Sequence, residues 1–238
     1  MKDEIFKQLQ LLKNNHKKNL FFNFISSNNH DSIEIRGKTF QGNATKIIKA
    51  FIESGVDVNF VDNFGYTLLF SANSKEVVEL LIQYGANVHV KNDYSQTALF
   101  YAKSKEIAEV LIQAGADVNA RNNIQSPPLF FAKSKELAEV LIRNGADINA
   151  QNESNNSSLH YHNDQKIIEF LIQLGADAYI KNDDNQTPAE WHRKKGNSDL
   201  ADFIEQKAFE KATKLEQEKL NQALPQSKAN LNKTKLHL

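Results

Sequence analysis

Ser104-Lys105-Glu106-Ile107-Ala108-Glu109-Val110-Leu111-Ile112-Gln113-Ala114-Gly115-Ala116-Asp117-Val118-Asn119-Ala120 carries a start, a face and a stop. Ile107, Val110 and Leu111 fall at i, i+3 and i+4 and make one apolar helical face. Ser104 precedes that face by three residues, where a hydroxyl can accept an orphan backbone N–H at a helix start. Gly115 follows it, the residue that takes the left-handed position after a helix with least strain. The same order recurs along the chain. Apolar segments stand at 77–82, 137–142 and 167–172, with caps at Ser74, Ser134 and Asp164. Gly55, Gly85, Gly145 and Gly175 join Gly115 at intervals of 30 residues, so five of the nine glycines share one position in a fixed period. Such a period is the mark of an array of stacked units.

After each glycine comes a matching tetrapeptide: Val56-Asp57-Val58-Asn59, Ala86-Asn87-Val88-His89, Ala116-Asp117-Val118-Asn119, Ala146-Asp147-Ile148-Asn149 and Ala176-Asp177-Ala178-Tyr179. Polar turn residues follow, such as Asp62-Asn63-Phe64-Gly65. A short helix then begins near Thr67, Thr97, Pro127, Ser157 and Thr187, with Leu69, Leu99, Leu129 and Leu159 as buried anchors of the first four. One unit is therefore a turn finger and two antiparallel helices.

Gly115-Ala116-Asp117-Val118-Asn119-Ala120 is similar, letter for letter, to the end of the ankyrin-repeat pattern, and the fragments of a Thr-Pro-Leu-His tetrad lie in the right place before each second helix. The resemblance covers about residues 45–205 and implies an all-α solenoid of helix-turn-helix units that binds other proteins. Three departures carry expectations. The units are about three residues shorter than the family's, which predicts a short first helix. Phe70, Phe100 and Phe130 replace the tetrad histidine that survives as His160, so apolar packing is expected to replace its hydrogen bonds. The turn glycine persists only at Gly65, with Ser95, Gln125, Asn155 and Asn185 in the other copies, which predicts less regular fingers.

Terminal units of a solenoid depart from consensus because they must not expose a sticky core. Residues 1–44 read as an N-terminal helical cap, with a stripe of Ile5, Leu9 and Leu12 and an apolar cluster from Leu20 to Ile25. Residues 45–205 hold the repeats, and residues 206–238 read as a C-terminal helix and a disordered tail from Pro225 onward. Leu200, Ile204, Ala208, Ala212 and Leu215 continue an apolar face that should cap the stack as far as about Leu215.

Lysine and arginine total 29, as do aspartate and glutamate, so no net field draws the molecule to nucleic acid or an anionic membrane. The absence of cysteine removes disulfides, thiolate catalysis and cysteine-type zinc sites. Met1 to Gln10 lacks the apolar run of a secretory signal, and runs such as Leu129 to Ala132 fall far short of a bilayer span. The expectation is a cytoplasmic chain, monomeric on its own, with no nucleic-acid or membrane partner.

No nucleophile elbow, phosphate loop or dinucleotide fingerprint is present, so neither enzymatic activity nor a cofactor is expected. His160, His162 and His192, with Glu190 nearby, invite a metal reading. A divalent site needs three or four converging ligands, and His160 stands at the family's structural histidine position, so no metal is expected. Lys75, Lys105 and Lys135 form a row that could track phosphates, but Glu76, Glu106 and Glu136 beside them cancel its field.

One column has two readings. Tyr101, Phe131, Tyr161 and Trp191 stand one residue after the tetrads, with Ser71 at the column's start. Such rings either pack between neighbouring copies or present a stacked strip to a partner, since Tyr and Trp are enriched in binding hot spots. The finger tips around Phe64, Tyr94 and Ile124 are the second candidate surface. These features make the chain a protein-interaction scaffold gripping one partner through its concave face and finger tips. Two narrower roles are compatible: a bacterial immunity or inhibitor protein that neutralises a toxin, and a secreted effector that binds a host protein.

Overall fold

The computed structural model describes residues 2–27 and 32–223. Helices α1 (Lys2–Gln10) and α2 (Asn14–Ser26) lead into a hairpin of β1 (Ser32–Ile35) and β2 (Lys38–Gln41), and then α3 (Ala44–Glu53). From there the units follow one another: α4 (Leu68–Ser71) and α5 (Lys75–Gln83); a 3-10 turn (Ala98–Tyr101) and α6 (Lys105–Gln113); a 3-10 turn (Pro128–Phe131) and α7 (Lys135–Arg143); α8 (Ser158–Tyr161) and α9 (Gln165–Leu174). Helices α10 (Pro188–Lys194) and α11 (Ser198–Ala223) close the series.

The second helices stack in order, and their start signals are those read from the sequence. The hydroxyls of Ser74, Ser104 and Ser134 accept the N–H groups of Val77, Ile107 and Leu137, and Asp164 accepts from Lys166 and Ile167. Gly115 closes α6 at φ 95°. Ile107, Leu111, Leu137, Leu141, Ile167 and Leu171 are buried in one continuous core. The first helices are single turns, as the shortened unit predicts.

The fingers correct an expectation, because they are regular. Ser95, Gln125, Asn155 and Asn185 adopt φ 59°, 59°, 56° and 58°, the same left-handed region as Gly65 at 79°. A buried asparagine holds each turn in shape. Asn92 Oδ1 accepts the N–H groups of Tyr94 and Gln96, and Asn122 does the same for Ile124 and Ser126. Two bonds straddling the left-handed residue offset its strain of roughly 1–2 kcal/mol. At Gly65 alone is the position also crowded, since a Cβ there would lie 3.0 Å from Asn92 Cα. Glycine persists where the next finger comes too close for a side chain.

Phenylalanine at the tetrads packs as expected but leaves a debt. Phe70, Phe100 and Phe130 are buried, while the hydroxyls of Thr67 and Thr97 are buried without a hydrogen-bond partner. In the copy that keeps histidine, the Ser157 N–H donates to His160 Nδ1 at 3.1 Å and the Ser157 hydroxyl lies 3.1 Å from the same atom. Thr97→Val, which keeps the shape and removes the orphan hydroxyl, is expected to raise stability by up to about 1 kcal/mol. A lower thermal midpoint for this variant would show that the hydroxyl is satisfied.

The N-terminal segment departs from a purely helical cap. Ile33, Ile35 and Phe40 alternate inward from the hairpin, whose turn places Arg36 and Gly37 at φ 53° and 76°. Two successive positive φ values suit the right-handed twist of a two-residue hairpin turn. Helix α1 lies on α3, burying Ile5 and Leu9, and Phe21 of α2 stacks on Phe51 with ring centroids 4.4 Å apart. Lys17 Nζ donates to the Ser54 carbonyl at 3.0 Å, placing a cation at the negative end of α3.

At the other end, Thr187 and Glu190 form a reciprocal capping box, and the Arg193 guanidinium binds Asp202 and Glu205 of α11. Leu200, Ala201, Ile204 and Ala208 are buried against the stack. Burial therefore stops short of Leu215, which is exposed together with Phe209 and Leu220, while the helix itself continues to Ala223. The expected disordered tail from Pro225 lies outside the described residues.

Candidate protein-binding face

The fingers are joined into one ladder by backbone bonds. The N–H groups of Asp93, Asn123, Glu153 and Asp183 donate to the carbonyls of Phe64, Tyr94, Ile124 and Ser154 at 3.0–3.1 Å. Asparagine side chains add a second set of rungs. Asn59 donates to the Gly85 carbonyl and accepts from Asn87, and Asn119 does the same with Gly145 and Asp147. His89 occupies the equivalent position between these two copies. A ladder of this kind holds Phe64, Tyr94 and Ile124 side by side. They are 60%, 55% and 38% exposed, so the row is an apolar strip on a fixed backbone. The next two copies carry Ser154 and Asp184 in the row, and the strip ends there.

The aromatic column is half-buried and interleaved. Each ring sits against the tetrad ring of the preceding copy: Tyr101 on Phe70 at 5.5 Å, Phe131 on Phe100 at 5.7 Å, Tyr161 on Phe130 at 5.1 Å and Trp191 on His160 at 6.3 Å. Within the column, Phe131 and Tyr161 meet at 6.5 Å. The geometry thus differs from a strip of rings stacked on one another, because a residue of one copy lands over the gap between tetrads of the last.

Polar tips anchor these rings to the fingers. Tyr101 Oη lies 3.0 Å from Tyr66 Oη, accepts from Asn92 Nδ2 and donates to Gln96 Oε1. Burial, reinforced by the Tyr66 hydroxyl, pushes the Tyr101 phenol up to about 12. Tyr161 Oη accepts from Asn152 Nδ2 at 3.1 Å. Lys195 Nζ stands 5.5 Å from the Trp191 ring centroid, within reach of a cation–π contact. Nothing in the sequence pairing of Tyr66 with Tyr101 announces the shared hydroxyl bond, since 35 residues separate them.

The three histidines point to separate backbone carbonyls. His160 Nε2 donates to Gln186 O, His162 Nε2 to Leu129 O and His192 Nε2 to Leu159 O, at 3.2, 3.0 and 3.1 Å. Burial lowers all three imidazoles, that of His162 to about 4. Among the described residues no three His, Cys, Asp or Glu side chains gather as a metal-binding group. The lysine row alternates with carboxylates across copies: Glu106 feels both Lys105 and Lys75, and Glu136 both Lys135 and Lys105. No helix among the described residues is long and apolar enough to cross a membrane.

Residues 38–122 match the family model for ankyrin repeats in three copies. No curated protein matches the sequence significantly. Among solved structures, one similar chain belongs to the complex of the Bd0816 predatory endopeptidase from Bdellovibrio bacteriovorus with immunity protein Bd3460. The two chains are 27% identical with a TM-score of 0.59, over 68% of this chain and 91% of that one. The family pattern is matched over residues 38–122, and the same finger, helix pair and left-handed glycine carry on to Gly175, so this chain carries ankyrin repeats.

Proposed function

We propose that the chain is a binding scaffold for another protein, and that it acts as an immunity protein holding a hydrolytic toxin inactive. The observation that carries the binding role is the finger-tip row of Phe64, Tyr94 and Ile124, large apolar side chains left exposed in register on a hydrogen-bonded ladder. Contiguous exposed apolar surface on a folded protein marks an interaction site. The likeness to an immunity protein solved with an endopeptidase supports the narrower role. The fingers are already ordered by their asparagines, so binding proceeds with little rearrangement and loses little entropy. The chain blocks its partner by covering it, and no step of chemistry is asked of its own side chains.

Affinity purification from the native host, with mass spectrometry of what co-purifies, tests the reading. A single co-purifying hydrolase whose activity falls to background at equimolar scaffold is the expected result. A partner from another organism with no hydrolytic activity would favour the effector role, and the absence of any stoichiometric protein partner would sink the scaffold reading. With the partner in hand, Tyr94→Ala combined with Ile124→Ala should weaken binding by about 2 kcal/mol, roughly 30-fold, with an unchanged unfolding midpoint. Tyr101→Ala and Tyr161→Ala sort the column: lost affinity in a stable protein assigns it to binding, and lost stability with intact affinity assigns it to packing.

A further inference from the structure

The finger ladder has an unfilled place at its N-terminal end. In four successive junctions the N–H one residue past the tip's buried asparagine donates to the finger before it. The first finger's equivalent donor is Asn63, and among the described residues no finger lies before it, since α2 stands beside it while α1 lies on α3. Among the described residues the Asn63 N–H has no hydrogen-bond partner. Asn63 lines a groove of about 580 Å³, with Phe60, Val61 and Asp62 on the finger wall and Asn15, Lys18, Asn19, Phe22 and Asn23 on the α2 wall.

The α2 wall has a repeat suited to a polypeptide backbone. Asn15, Asn19 and Asn23 fall at i, i+4 and i+8 on one helix face, so their amides recur every 6 Å or so. An extended chain presents peptide groups of the same orientation every two residues, roughly 6.6–6.8 Å. Each asparagine amide offers a donor and an acceptor, the complement of a peptide unit. These three side chains make no hydrogen bond within the described protein. The floor is apolar, with Phe22 and Phe60 in contact at 6.4 Å and half-exposed Val61 beside them. Lys18 is the one cation on the walls, and it lies 5.3 Å from the Phe60 ring centroid. Asp62 Oδ1 accepts the N–H groups of Phe64 and Tyr66, and its charge stands on the same groove as that of Lys18, so the walls carry no net charge.

We infer that this groove takes an extended, uncharged segment of a partner protein in the place of the missing finger. The asparagines of α2 read its backbone, and the Asn63 N–H donates to one of its carbonyls. The inference deepens the protein-binding reading and rests on it. It differs in kind from the finger-tip row: the tips present side chains to a surface, whereas the groove grips main chain and tolerates many sequences of small or apolar residues.

The probe is a display library of random eight-residue peptides, panned on the full chain and counter-selected on the triple variant Asn15→Ala, Asn19→Ala, Asn23→Ala. These asparagines are exposed on a helix, where alanine favours the fold. Selected peptides, made synthetically, should bind wild type at least tenfold more tightly than the triple variant and shift the Asn63 amide signal in a heteronuclear NMR titration. N-methylation of alternate peptide nitrogens should abolish binding to wild type, a result that does not depend on any protein variant. No enrichment on wild type over the variant overturns the groove, as does binding indifferent to N-methylation. Peptides that shift Tyr94 and Ile124 while Asn63 stays unmoved also overturn it, and leave the finger-tip reading standing.

Discussion

Leu141→Ala is expected to cost about 2–5 kcal/mol of unfolding free energy, and Leu111→Ala a similar amount. Both side chains are 1% exposed, and each lies at the middle of a second helix with another second helix on either side. Truncation removes buried methyl groups and leaves a cavity that neighbours on both sides would have to close. A solenoid resists that collapse because each helix is also fixed by its own cap and finger. The loss should appear in urea unfolding as a lower midpoint with the slope retained, since the surface exposed on unfolding hardly changes. The stack transmits the damage, because each copy contacts its neighbours and stability is a sum of copy and interface contributions. Wild-type midpoints for both variants would show that this face is not the core.

The second large effect is a loss of stability in acid. The His162 imidazole is held at about 4 by burial, against the opposing pull of the Leu129 carbonyl and Asp164, while in the unfolded chain it titrates near 6.5. Between these values the unfolded chain binds a proton that the folded chain refuses, so stability falls as pH falls. It is complete above about pH 6.5 and its loss from this group levels off near pH 4. The difference amounts to about 3 kcal/mol for His162. His160 and His192 are lowered in the same direction by burial and add to the same window. Protonation is also awkward for His160, whose Nδ1 already accepts from the Ser157 N–H and has no room for a proton of its own. Urea midpoints from pH 8 to pH 4 measure the effect, and His162→Ala isolates one contributor. That substitution installs the residue found at the equivalent positions 72, 102 and 132. Its slope between pH 6.5 and 4.5 should be visibly shallower than that of wild type. An identical slope would show that His162 is as solvated when folded as when unfolded.

The two predictions draw on parts of the chain that differ in how well they can be read. Leu111 and Leu141 are legible from spacing alone, because a helix cap, an apolar face at i, i+3 and i+4 and a terminal glycine are local signals within some dozen residues. The role of His162 is not. Its partner is the Leu129 carbonyl, 33 residues back, and a backbone carbonyl leaves no trace in a sequence. Read as letters, three histidines invite a metal reading; in space His162 closes one junction between copies, and His160 and His192 close the next from its two sides. The fingers teach a similar lesson. Loss of glycine at 95, 125, 155 and 185 suggested irregular turns, yet the preceding asparagine fixes the backbone and the left-handed strain is tolerated.

The sequence by itself determined the period, the two helices and finger of each unit, the caps and the leucines that face the core. These follow from short-range stereochemistry repeated often enough to exclude coincidence. Only the tertiary structure decided the hairpin at 32–41, the end of helical burial at Ala208 and the interleaving of the aromatic column. It alone showed the asparagine-lined groove beside the first finger. Each of these depends on which residues of one copy fall against the next, and the offset between stacked copies is set by packing across the interface.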